Sequence, residues 1–363
     1  MNPAQRLHQA GQSLWLDNIT RGLLTSGQLA RYIADAAVTG LTSNPSIFDK
    51  AISGSSDYDE QARELAASGL DGEILFFALA LDDLVKAAAL FRPAWDATKG
   101  LDGWVSLEVS PRLVHDTAGS VAEAKELHDQ ACTPNLFIKI PGTREGVPAI
   151  EELTFQGVPV NVTLLFSAEQ YRAAADAYQR GLDRRQVAGL GLDVVSVASL
   201  FVSRWDKATL EQLPDDLKDA LGIAVARQTY RSYREMLGSR RWHDLASLGA
   251  RPQRLLFAST GTKDPAKPDT YYVEALAAPD TINTIPPATL EAFVDHGTVG
   301  ELLPVDGGDA DAVIARAQAA GVDVPALAEQ LQTDGGTAFE KAWDDLLQSL
   351  SSKSAQLTAT AGR

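Results

Sequence analysis

The sequence predicts an α/β fold: a (β/α)8 barrel of the TIM-barrel class with additional helices, including C-terminal helices. Short runs that are apolar at alternate positions are followed by segments of helical periodicity, which is typical of parallel strands covered by helices. Eight such runs occur, and eight strand–helix units favour a closed barrel over an open sheet. The 363 residues suit a single barrel domain over 1–363, since barrels of this length are routinely one domain.

The eight candidate strands are short and carry apolar residues at alternate positions. They lie at residues 13–18, 39–44, 104–109, 135–140, 159–165, 193–199, 254–259 and 281–285. Between them, helical periodicity is clearest at 120–130 and 168–180. This alternation of strand and helix places the helices outside the sheet.

Three longer stretches predict the additional helices. Residues 45–103, which include an apolar run at 73–91, and residues 201–252 are expected to form helical connections, the second with two helices. Residues 287–363 are expected to form a C-terminal helical extension. This extension carries four large apolar residues at helical spacing: Phe339, Trp343, Leu346 and Leu350. We interpret the stripe as a face that packs against the barrel.

Composition narrows the class of protein. The chain has 48 acidic and 32 basic residues and a net charge of −16, which disfavours nucleic acid and anionic membranes as partners. No apolar run approaches the roughly 20 residues of a membrane span. The amino terminus lacks a signal-peptide core, and a single cysteine, Cys132, suits a reducing compartment, so we expect a cytoplasmic location. The five histidines show no metal-binding spacing, so no metal site is predicted.

Polar residues recur on one face of four candidate strands. Side chains alternate between the two faces of a strand, so the aliphatic face of each should meet the helices. The opposite faces should then point into the barrel, and they carry Asp17, Glu108, Lys139, Asn161 and Thr163. Each of these residues lies near the carboxyl end of its strand, which is the end where barrel active sites are found.

Each of these residues alone has a simpler explanation. A lysine on a strand is commonly a solvated edge residue, a lone carboxylate a helix cap or ion pair, and a buried amide or hydroxyl a satisfied core group. Burying a lysine and two carboxylates together is costly unless they are paired. Several strands that place polar groups on one side at one level therefore favour a catalytic site.

The chemistry that this set supports is Schiff-base catalysis. Desolvation favours the neutral amine of a buried lysine, and a neutral amine attacks a ketone to form an imine. Asp17 and Glu108 are the available acid–base groups, and Asn161 and Thr163 could orient hydroxyls or a water. We expect no cofactor, because the protonated imine of Lys139 is itself the electron sink.

Beyond these residues, the chain resembles the transaldolase family from about residue 13 to residue 295. The segments that carry the resemblance are SLWLDNI (13–19), GLTSNPSIF (40–48), VSLEVSP (105–111), NLFIKIPG (135–142), VNVTLLFS (160–167), SLFVSR (199–204) and LLFASTGTKDP (255–265). TSNPSIF and FIKIPGT together are specific, and neither is a general feature of barrels.

The resemblance implies a role for each matched residue. Lys139 would form the imine, Asp17 would act as general acid and base at the substrate hydroxyl, and Glu108 with Thr163 would hold the catalytic water. The positions implied to bind substrate are Asn44, Asn161, Ser199, Phe201, Arg204 and Ser259, with Ser199, Arg204 and Ser259 near the phosphate.

The resemblance also implies the reaction. It moves a dihydroxyacetone unit from sedoheptulose 7-phosphate to glyceraldehyde 3-phosphate, giving erythrose 4-phosphate and fructose 6-phosphate, in the non-oxidative pentose phosphate pathway. The expected partners are therefore sugar phosphates. No oligomeric state is predicted.

One position departs from the family pattern. Many relatives carry an arginine two residues after the serine that matches Ser259, whereas here Lys263 is the nearest following cation. We infer that Lys263 supplies the second positive charge at the phosphate; the alternative is a solvated loop lysine.

Two other functions remain as alternatives. A fructose-6-phosphate aldolase would share the fold and the lysine, but such relatives carry glutamine in place of Glu108 and tyrosine in place of Phe201. A non-catalytic sugar-phosphate-binding barrel would not require Lys139, Asp17 and Glu108 together inside.

Overall fold

The computed structural model describes residues 1–262, 264 and 266–361. Eight strands surround the centre of the molecule: β1 Gln12–Asp17, β2 Val38–Thr42, β3 Val105–Glu108, β4 Leu136–Pro141, β5 Val160–Leu165, β6 Ser196–Phe201, β7 Gln253–Ala258 and β8 Thr281–Ile285. All pairings between neighbouring strands are parallel, in the order β2-β1-β8-β7-β6-β5-β4-β3.

A short contact between β2 and β3 closes the sheet. Gly40 forms a parallel bridge with Trp104, and the amide of Leu41 donates to the Trp104 carbonyl at 2.9 Å. A Cβ on Gly40 would lie 2.7 Å from both the Trp104 carbonyl oxygen and the Trp15 indole, so only glycine permits this approach. The predicted (β/α)8 barrel with additional helices is confirmed.

Helices cover the outside of the barrel. In the described part of the chain they are α1 Pro3–Gln9, α2 Arg21–Thr25, α3 Gln28–Ala36, α4 Pro45–Ser53, α5 Asp59–Ala67, α6 Gly72–Ala97, α7 Thr117–Ala131, α8 Gly146–Gln156, α9 Ala168–Val187, α10 Ser203–Thr209, α11 Leu221–Leu237, α12 Arg240–Ser247, α13 Tyr271–Ala275, α14 Pro287–His296, α15 Ala310–Ala319 and α16 Val324–Ala361. The segment 45–103 holds α4, α5 and α6. The segment 201–252 holds α10, α11 and α12, one helix more than predicted.

The position of β6 differs from the prediction. The sequence placed this strand at 193–199, but pairing with both neighbouring strands begins at Ser196 and continues to Phe201. Val194 is buried, yet it precedes the hydrogen-bonded ladder, so its apolar character reflects packing and not strand pairing. The shift brings Phe201 to the carboxyl end of the strand.

The two faces of the strands belong to two apolar clusters, and the one inside the barrel also extends to side chains of α10, α11, α15 and α16. The inner cluster includes Trp15, Phe137 and Ile282, with the Trp104 ring stacked on Phe137 at a centroid distance of 4.2 Å. The alternate residues of the same strands, such as Leu14 and Ile138, belong to the outer cluster that meets the helices. The inward and outward faces therefore follow the alternation seen in the sequence.

Leu164 is an exception to this alternation. The sequence assigned it to the outer face of β5 with Val160 and Val162, but it belongs to the inner cluster. Its φ of 58° is in the left-handed region, and the register of β5 shifts between Val162 and Leu165. The irregularity turns Leu164 inward and returns Leu165 to the outer face.

Paired buried charges close the amino-terminal end of the barrel. Arg254 donates to the Ser13 hydroxyl at 2.7 Å and to the Thr281 carbonyl at 2.9 Å. The indole of Trp15 donates to Asp102 at 2.8 Å, and the Ser13 hydroxyl donates to the other carboxylate oxygen. These charges are nearly inaccessible to solvent. Arg254 and Asp102 lie 3.8 Å apart and both are hydrogen-bonded to Ser13, and these contacts offset the cost of burying them.

The C-terminal helix packs mostly on other helices. Trp343 of α16 contacts the ring of Phe76 edge-on, at a centroid distance of 4.9 Å, and its indole donates to Glu73 of α6 at 2.8 Å. Leu346 and Leu350 are buried in the outer cluster. The sequence predicts that this stripe packs against the barrel, whereas Trp343 packs on α6 and Leu346 and Leu350 are buried in the outer cluster. Phe339 is the member of the stripe that lies at the mouth of the barrel, where it is partly buried.

A buried carboxylate anchors α10, the short helix that carries Arg204. Asp206 accepts hydrogen bonds from the amide of Gly222 at 2.9 Å and from the hydroxyl of Tyr272 at 2.8 Å. Burial raises the pKa of Asp206 to about 6, and the nearby Asp219 carboxylate adds to the increase, although the hydrogen bonds oppose it.

Replacement of Asp206 by asparagine should make stability less dependent on pH. The native pKa of about 6 exceeds the unfolded value of roughly 3.9, so the native state binds more protons between these values. The stability contributed by protonated Asp206 is therefore lost as pH rises through about 6. Relative to wild type, Asp206→Asn should gain on the order of 2 kcal/mol in free energy of unfolding between pH 4 and pH 7. Denaturant titrations at several pH values measure this, and a pH-independent difference would contradict it.

Candidate active site

The carboxyl ends of the strands bring the predicted polar residues together at one mouth of the barrel. Asp17 and Glu108 are the last residues of β1 and β3. Lys139 lies on β4, Thr163 on β5 and Ser199 on β6. Because all eight strands are parallel, these positions share one end of the barrel.

Lys139 and Glu108 form a buried ion pair. The register of β3 and β4 places the two residues side by side, and Lys139 Nζ lies 2.5 Å from Glu108 Oε1. The same Nζ donates to the carbonyl of Ser43 at 2.9 Å. Only 6% of each residue is exposed, so the pair is almost fully removed from water.

Electrostatics at the pair favour proton exchange. Burial raises the pKa of the Glu108 carboxyl, Lys139 opposes the increase, and the neighbouring Asp17 adds to it. A carboxylate with a raised pKa is a better proton acceptor for the ammonium group beside it. Glu108 can therefore take a proton from Lys139 and leave a neutral, nucleophilic amine.

One threonine is hydrogen-bonded to Asp17 and a second contacts the first, and the sequence analysis singled out neither. The hydroxyl of Thr42 donates to Asp17 Oδ1 at 2.7 Å and lies 2.6 Å from the hydroxyl of Thr284. Thr42 ends β2, and Thr284 lies on β8. Both line the same cavity as Asp17. The signal that could have found them is their position near the carboxyl ends of candidate strands, as for the other polar residues.

Asn161 lies beside Lys139 on the neighbouring strand and is fully buried. Its Oδ1 accepts from the Ser199 hydroxyl at 2.7 Å, and its Nδ2 donates to the Ser106 hydroxyl at 3.2 Å. These two contacts fix the orientation of the amide. Asn161 thus supports the wall of the cavity and does not line it.

A cavity of about 140 Å³ occupies the mouth. Its walls carry eight of the eleven residues that the sequence analysis assigned to the site: Asp17, Asn44, Lys139, Thr163, Ser199, Phe201, Arg204 and Ser259. Glu108 lines a smaller cavity of about 20 Å³, which shares Lys139, Thr163 and Phe339 with the larger one. Of the two predicted residues that remain, Asn161 is behind the wall of the cavity and Lys263 lies outside the described residues.

Asn44 both caps a helix and lines the cavity. It caps α4, because its side-chain oxygen accepts from the amide of Ile47 at 3.1 Å, and Pro45 follows at the first helical position. With the oxygen turned to the helix, the amide nitrogen is the part of the side chain left to bind a ligand in the cavity. The TSNP motif thereby links the start of a helix to the wall of the site.

Arg204 supplies positive charge at the edge of the cavity. It is half-buried, and its guanidinium forms no hydrogen bond or ion pair with any residue that the structure describes. Burial lowers the pKa of Arg204, although Glu108 partly opposes this. Nearby, the Ser203 and Ser259 hydroxyls lie 3.0 Å apart, and Ser259 has a left-handed φ of 56°. A guanidinium and hydroxyls at one edge form a suitable site for an anion.

Comparison with known proteins agrees with this geometry. The sequence profile described as Transaldolase/Fructose-6-phosphate aldolase matches residues 14–350. The chain belongs to this family. A curated relative from Parafrankia sp. named Transaldolase is 45% identical over 357 residues, covering 96% of this chain and 97% of the relative. Transaldolases from Frankia alni and Thermobifida fusca are each 46% identical over 355 residues, covering 95% of this chain and 96% of each relative.

These relatives confirm the predicted family, the transaldolase function and the assignment to the transferases. The roles of the individual residues remain predictions. Within the residues described, none of the helices has both the length and the apolar character needed to cross a bilayer.

Two buried oxygen atoms at the candidate site have no hydrogen-bond partner among the described residues. Thr163 Oγ1 and Glu108 Oε2 are inaccessible to solvent, and neither forms a hydrogen bond with any described residue. Buried polar atoms are nearly always hydrogen-bonded. Both residues line the smaller cavity, so the absence of a partner for these two atoms calls for a specific explanation. The simplest is that both atoms bind a water or a substrate oxygen during the reaction.

Thr163→Val should separate stability from activity. The unpaired hydroxyl destabilises the fold, so its replacement by a methyl group should raise the free energy of unfolding by about 1 kcal/mol. The same change should lower the turnover number by about 100-fold, the scale of a lost acid–base contribution.

The matched control is Thr154→Val on α8, where the threonine hydroxyl donates to the Ile150 carbonyl at 2.8 Å. The free energy of unfolding of that variant should fall by about 1 kcal/mol, and its activity should be unchanged. Denaturant titration and steady-state kinetics check both changes. Full activity of Thr163→Val would remove the proposed water-binding role.

Proposed function

We propose that the chain transfers a dihydroxyacetone unit between sugar phosphates through an imine at Lys139. The proposed donor is sedoheptulose 7-phosphate and the acceptor glyceraldehyde 3-phosphate, giving erythrose 4-phosphate and fructose 6-phosphate in the non-oxidative pentose phosphate pathway. The observation that carries this proposal is the buried Lys139–Glu108 pair, with Nζ and Oε1 2.5 Å apart at the barrel mouth.

Imine formation begins with proton transfer from Lys139 to Glu108. The neutral amine then attacks the C2 carbonyl of the donor, and the resulting carbinolamine loses water when its hydroxyl is protonated. Glu108 can return the proton for this step, directly or through a water that Thr163 also binds. The product is a protonated imine that withdraws electrons from the adjacent carbon–carbon bond.

Bond cleavage requires a base at the C4 hydroxyl. Asp17 lines the cavity, and the Thr42 hydroxyl donates to its Oδ1 at 2.7 Å. When Asp17 removes the hydroxyl proton, the C3–C4 bond breaks, its electrons move into the imine, and the aldehyde leaves. The enamine retained on Lys139 then attacks the acceptor aldehyde, and hydrolysis of the new imine releases the product.

Transfer also requires that the enamine is not protonated by water before the acceptor arrives. The aromatic ring of Phe201 lines the cavity and offers no hydroxyl to hold a water there. Phe201 and Glu108 are the residues that favour a transferase over an aldolase in this family. The proposed chemistry calls for no cofactor, since the imine is the electron sink.

The proposed substrates also account for the local charge. A net charge of −16 opposes the approach of a dianionic phosphate, so binding requires cations close to it. We propose that Arg204, Ser199 and Ser259 bind the substrate phosphate, and Lys263 remains the proposed second cation. A cytoplasmic location, a single domain and the absence of nucleic-acid partners remain proposals from composition and charge.

Reduction with borohydride tests the imine. Incubation with fructose 6-phosphate and borohydride should add one covalent mass, and peptide mapping should place it on Lys139. Lys139→Met should abolish labelling and activity, whereas Lys125→Met, at an exposed lysine on α7, should change neither. Labelling at another lysine, or none in wild type, removes the proposal.

The acceptor separates transfer from aldol cleavage. Wild type should consume fructose 6-phosphate quickly only when an aldehyde acceptor is present. Release of free dihydroxyacetone at the rate of transfer would instead favour an aldolase.

Asp17→Asn should impair cleavage more than imine formation. Loss of a general base lowers the rate by about 100- to 10,000-fold, and borohydride labelling should persist because the amine is unaffected. Asp129→Asn, at an exposed aspartate of α7, is the control. Rapid-quench measurement of bond cleavage checks the prediction, and a rate within a few-fold of wild type would rule out Asp17 as the base.

A further inference from the structure

The C-terminal helix crosses the mouth of the barrel and contacts two catalytic strands. Gln332 of α16 donates through its single amide nitrogen to the carbonyl of Gly142 at 3.0 Å and to that of Leu164 at 2.9 Å. These carbonyls follow Lys139 on β4 and Thr163 on β5. One side chain of α16 therefore ties the helix to both strand ends.

Gly335 allows α16 to lie close to the site. A Cβ on Gly335 would lie 2.9 Å from the Leu164 side chain and 3.1 Å from Nη1 of Arg204. Glycine inside a helix is unfavourable relative to alanine by about 1 kcal/mol, so a pair at 335 and 336 needs a reason in packing. Here the missing side chain at 335 leaves room for the guanidinium of Arg204.

Phe339 completes an aromatic enclosure around this guanidinium. The Cζ atom of Arg204 lies 4.8 Å from the ring centre of Phe201, 5.9 Å from that of Phe339 and 6.0 Å from that of Phe166. The three rings come from β6, α16 and the end of β5. They surround a cation that forms no ion pair with any described carboxylate.

The position of Phe339 is fixed on both sides along the helix. Gln332 holds the preceding part of α16 to the strand ends, and Trp343 holds the following part through Glu73 and Phe76. Phe339 is therefore a rigid part of the wall shared by the two cavities.

We propose that Phe339 is a positioning residue for Arg204 and that α16 thereby sets the affinity of the site for the phosphate of its substrates. The proposal rests on the proposed function, in which Arg204 binds that phosphate. At 5.9 Å the direct attraction between cation and ring is near its outer limit. Phe339 acts mainly by restricting the guanidinium to one orientation and by excluding water from it, which strengthens its interaction with an anion.

This role predicts a change in binding and not in chemistry. Arg204 makes the same contact with phosphate in the bound substrate and in the transition state, so its loss of order should raise KM and leave kcat unchanged. A side chain that only supported the fold would instead change stability and active fraction, and it would not discriminate phosphorylated ligands from others.

The experiment compares Phe339→Ala, Phe339→Leu and Phe339→Trp with Leu327→Ala. Leu327 is a control on the same helix, partly buried in the same apolar cluster but outside the cavity. For Phe339→Ala, the KM for fructose 6-phosphate and the inhibition constant for inorganic phosphate should both rise about tenfold, with kcat within about twofold. Phe339→Leu should raise both constants by an intermediate amount. Phe339→Trp, which keeps an aromatic ring, and Leu327→Ala should both have constants close to those of wild type.

A double-mutant cycle identifies Arg204 as the group through which Phe339 acts. In an Arg204→Met background, Phe339→Ala should cause no further loss of phosphate affinity. An equal loss in both backgrounds, an unchanged inhibition constant in Phe339→Ala, or a fall in kcat alone would overturn the proposal.

Borohydride trapping with unphosphorylated dihydroxyacetone separates this proposal from the proposed function. Every variant should form the adduct at Lys139 as wild type does. If wild type forms no adduct, the proposed function fails. If all variants trap normally and Phe339→Ala binds phosphate as wild type does, the function stands and only the role of Phe339 is overturned.

Discussion

The organisation of this molecule depends on a single buried contact, the ion pair between Lys139 and Glu108. Two charges withdrawn from water are costly, and removing one partner of such a pair typically destabilises a protein by about 3–5 kcal/mol. The pair is tolerated because parallel register places β3 and β4 side by side with both residues facing inward. The same contact makes chemistry available, since burial raises the pKa of Glu108 beside a potential amine nucleophile. The proton shared by Lys139 and Glu108 therefore matters both for the stability of the buried pair and for the proposed chemistry.

The buried charged groups at the two ends of the barrel have different surroundings. At the amino-terminal end, Arg254 and Asp102 meet Ser13 and Trp15 through hydrogen bonds, and their charges are matched within the protein. At the carboxyl end, Thr163 and Glu108 each retain an oxygen without a partner among the described residues. The first arrangement stabilises the barrel. The second leaves binding capacity that a water or a substrate oxygen can satisfy.

A strongly acidic protein that binds phosphates must concentrate positive charge locally. Arg204 does this at the edge of the cavity, where aromatic rings and not carboxylates surround it. An aromatic enclosure restricts and partly desolvates a guanidinium without neutralising it, so the charge remains available to a ligand. The helix α10 that carries Arg204 is itself anchored by Asp206, and α16 supplies the last side of the enclosure. Elements far apart along the chain therefore cooperate to hold one cation.

Five of the eight predicted residues that line the cavity came from the resemblance to a known family. The sequence by itself determined the barrel, the inward face of most strands, and Asp17, Lys139 and Thr163 in the cavity. It could do so because strand alternation is a local property: inward positions follow from a period of two, and parallel strands bring their carboxyl ends together. Tertiary structure decided what depends on contacts between distant segments. The left-handed backbone at Leu164 reversed its face, pairing with neighbouring strands moved β6 to Ser196–Phe201, and Thr42 and Thr284 became partners across two strands. Helical periodicity likewise identified Phe339 as part of an apolar stripe but not what lies opposite it. Only the folded chain places that ring over Arg204, because a helix pattern specifies which side chains share a face and carries no information about the surface they meet.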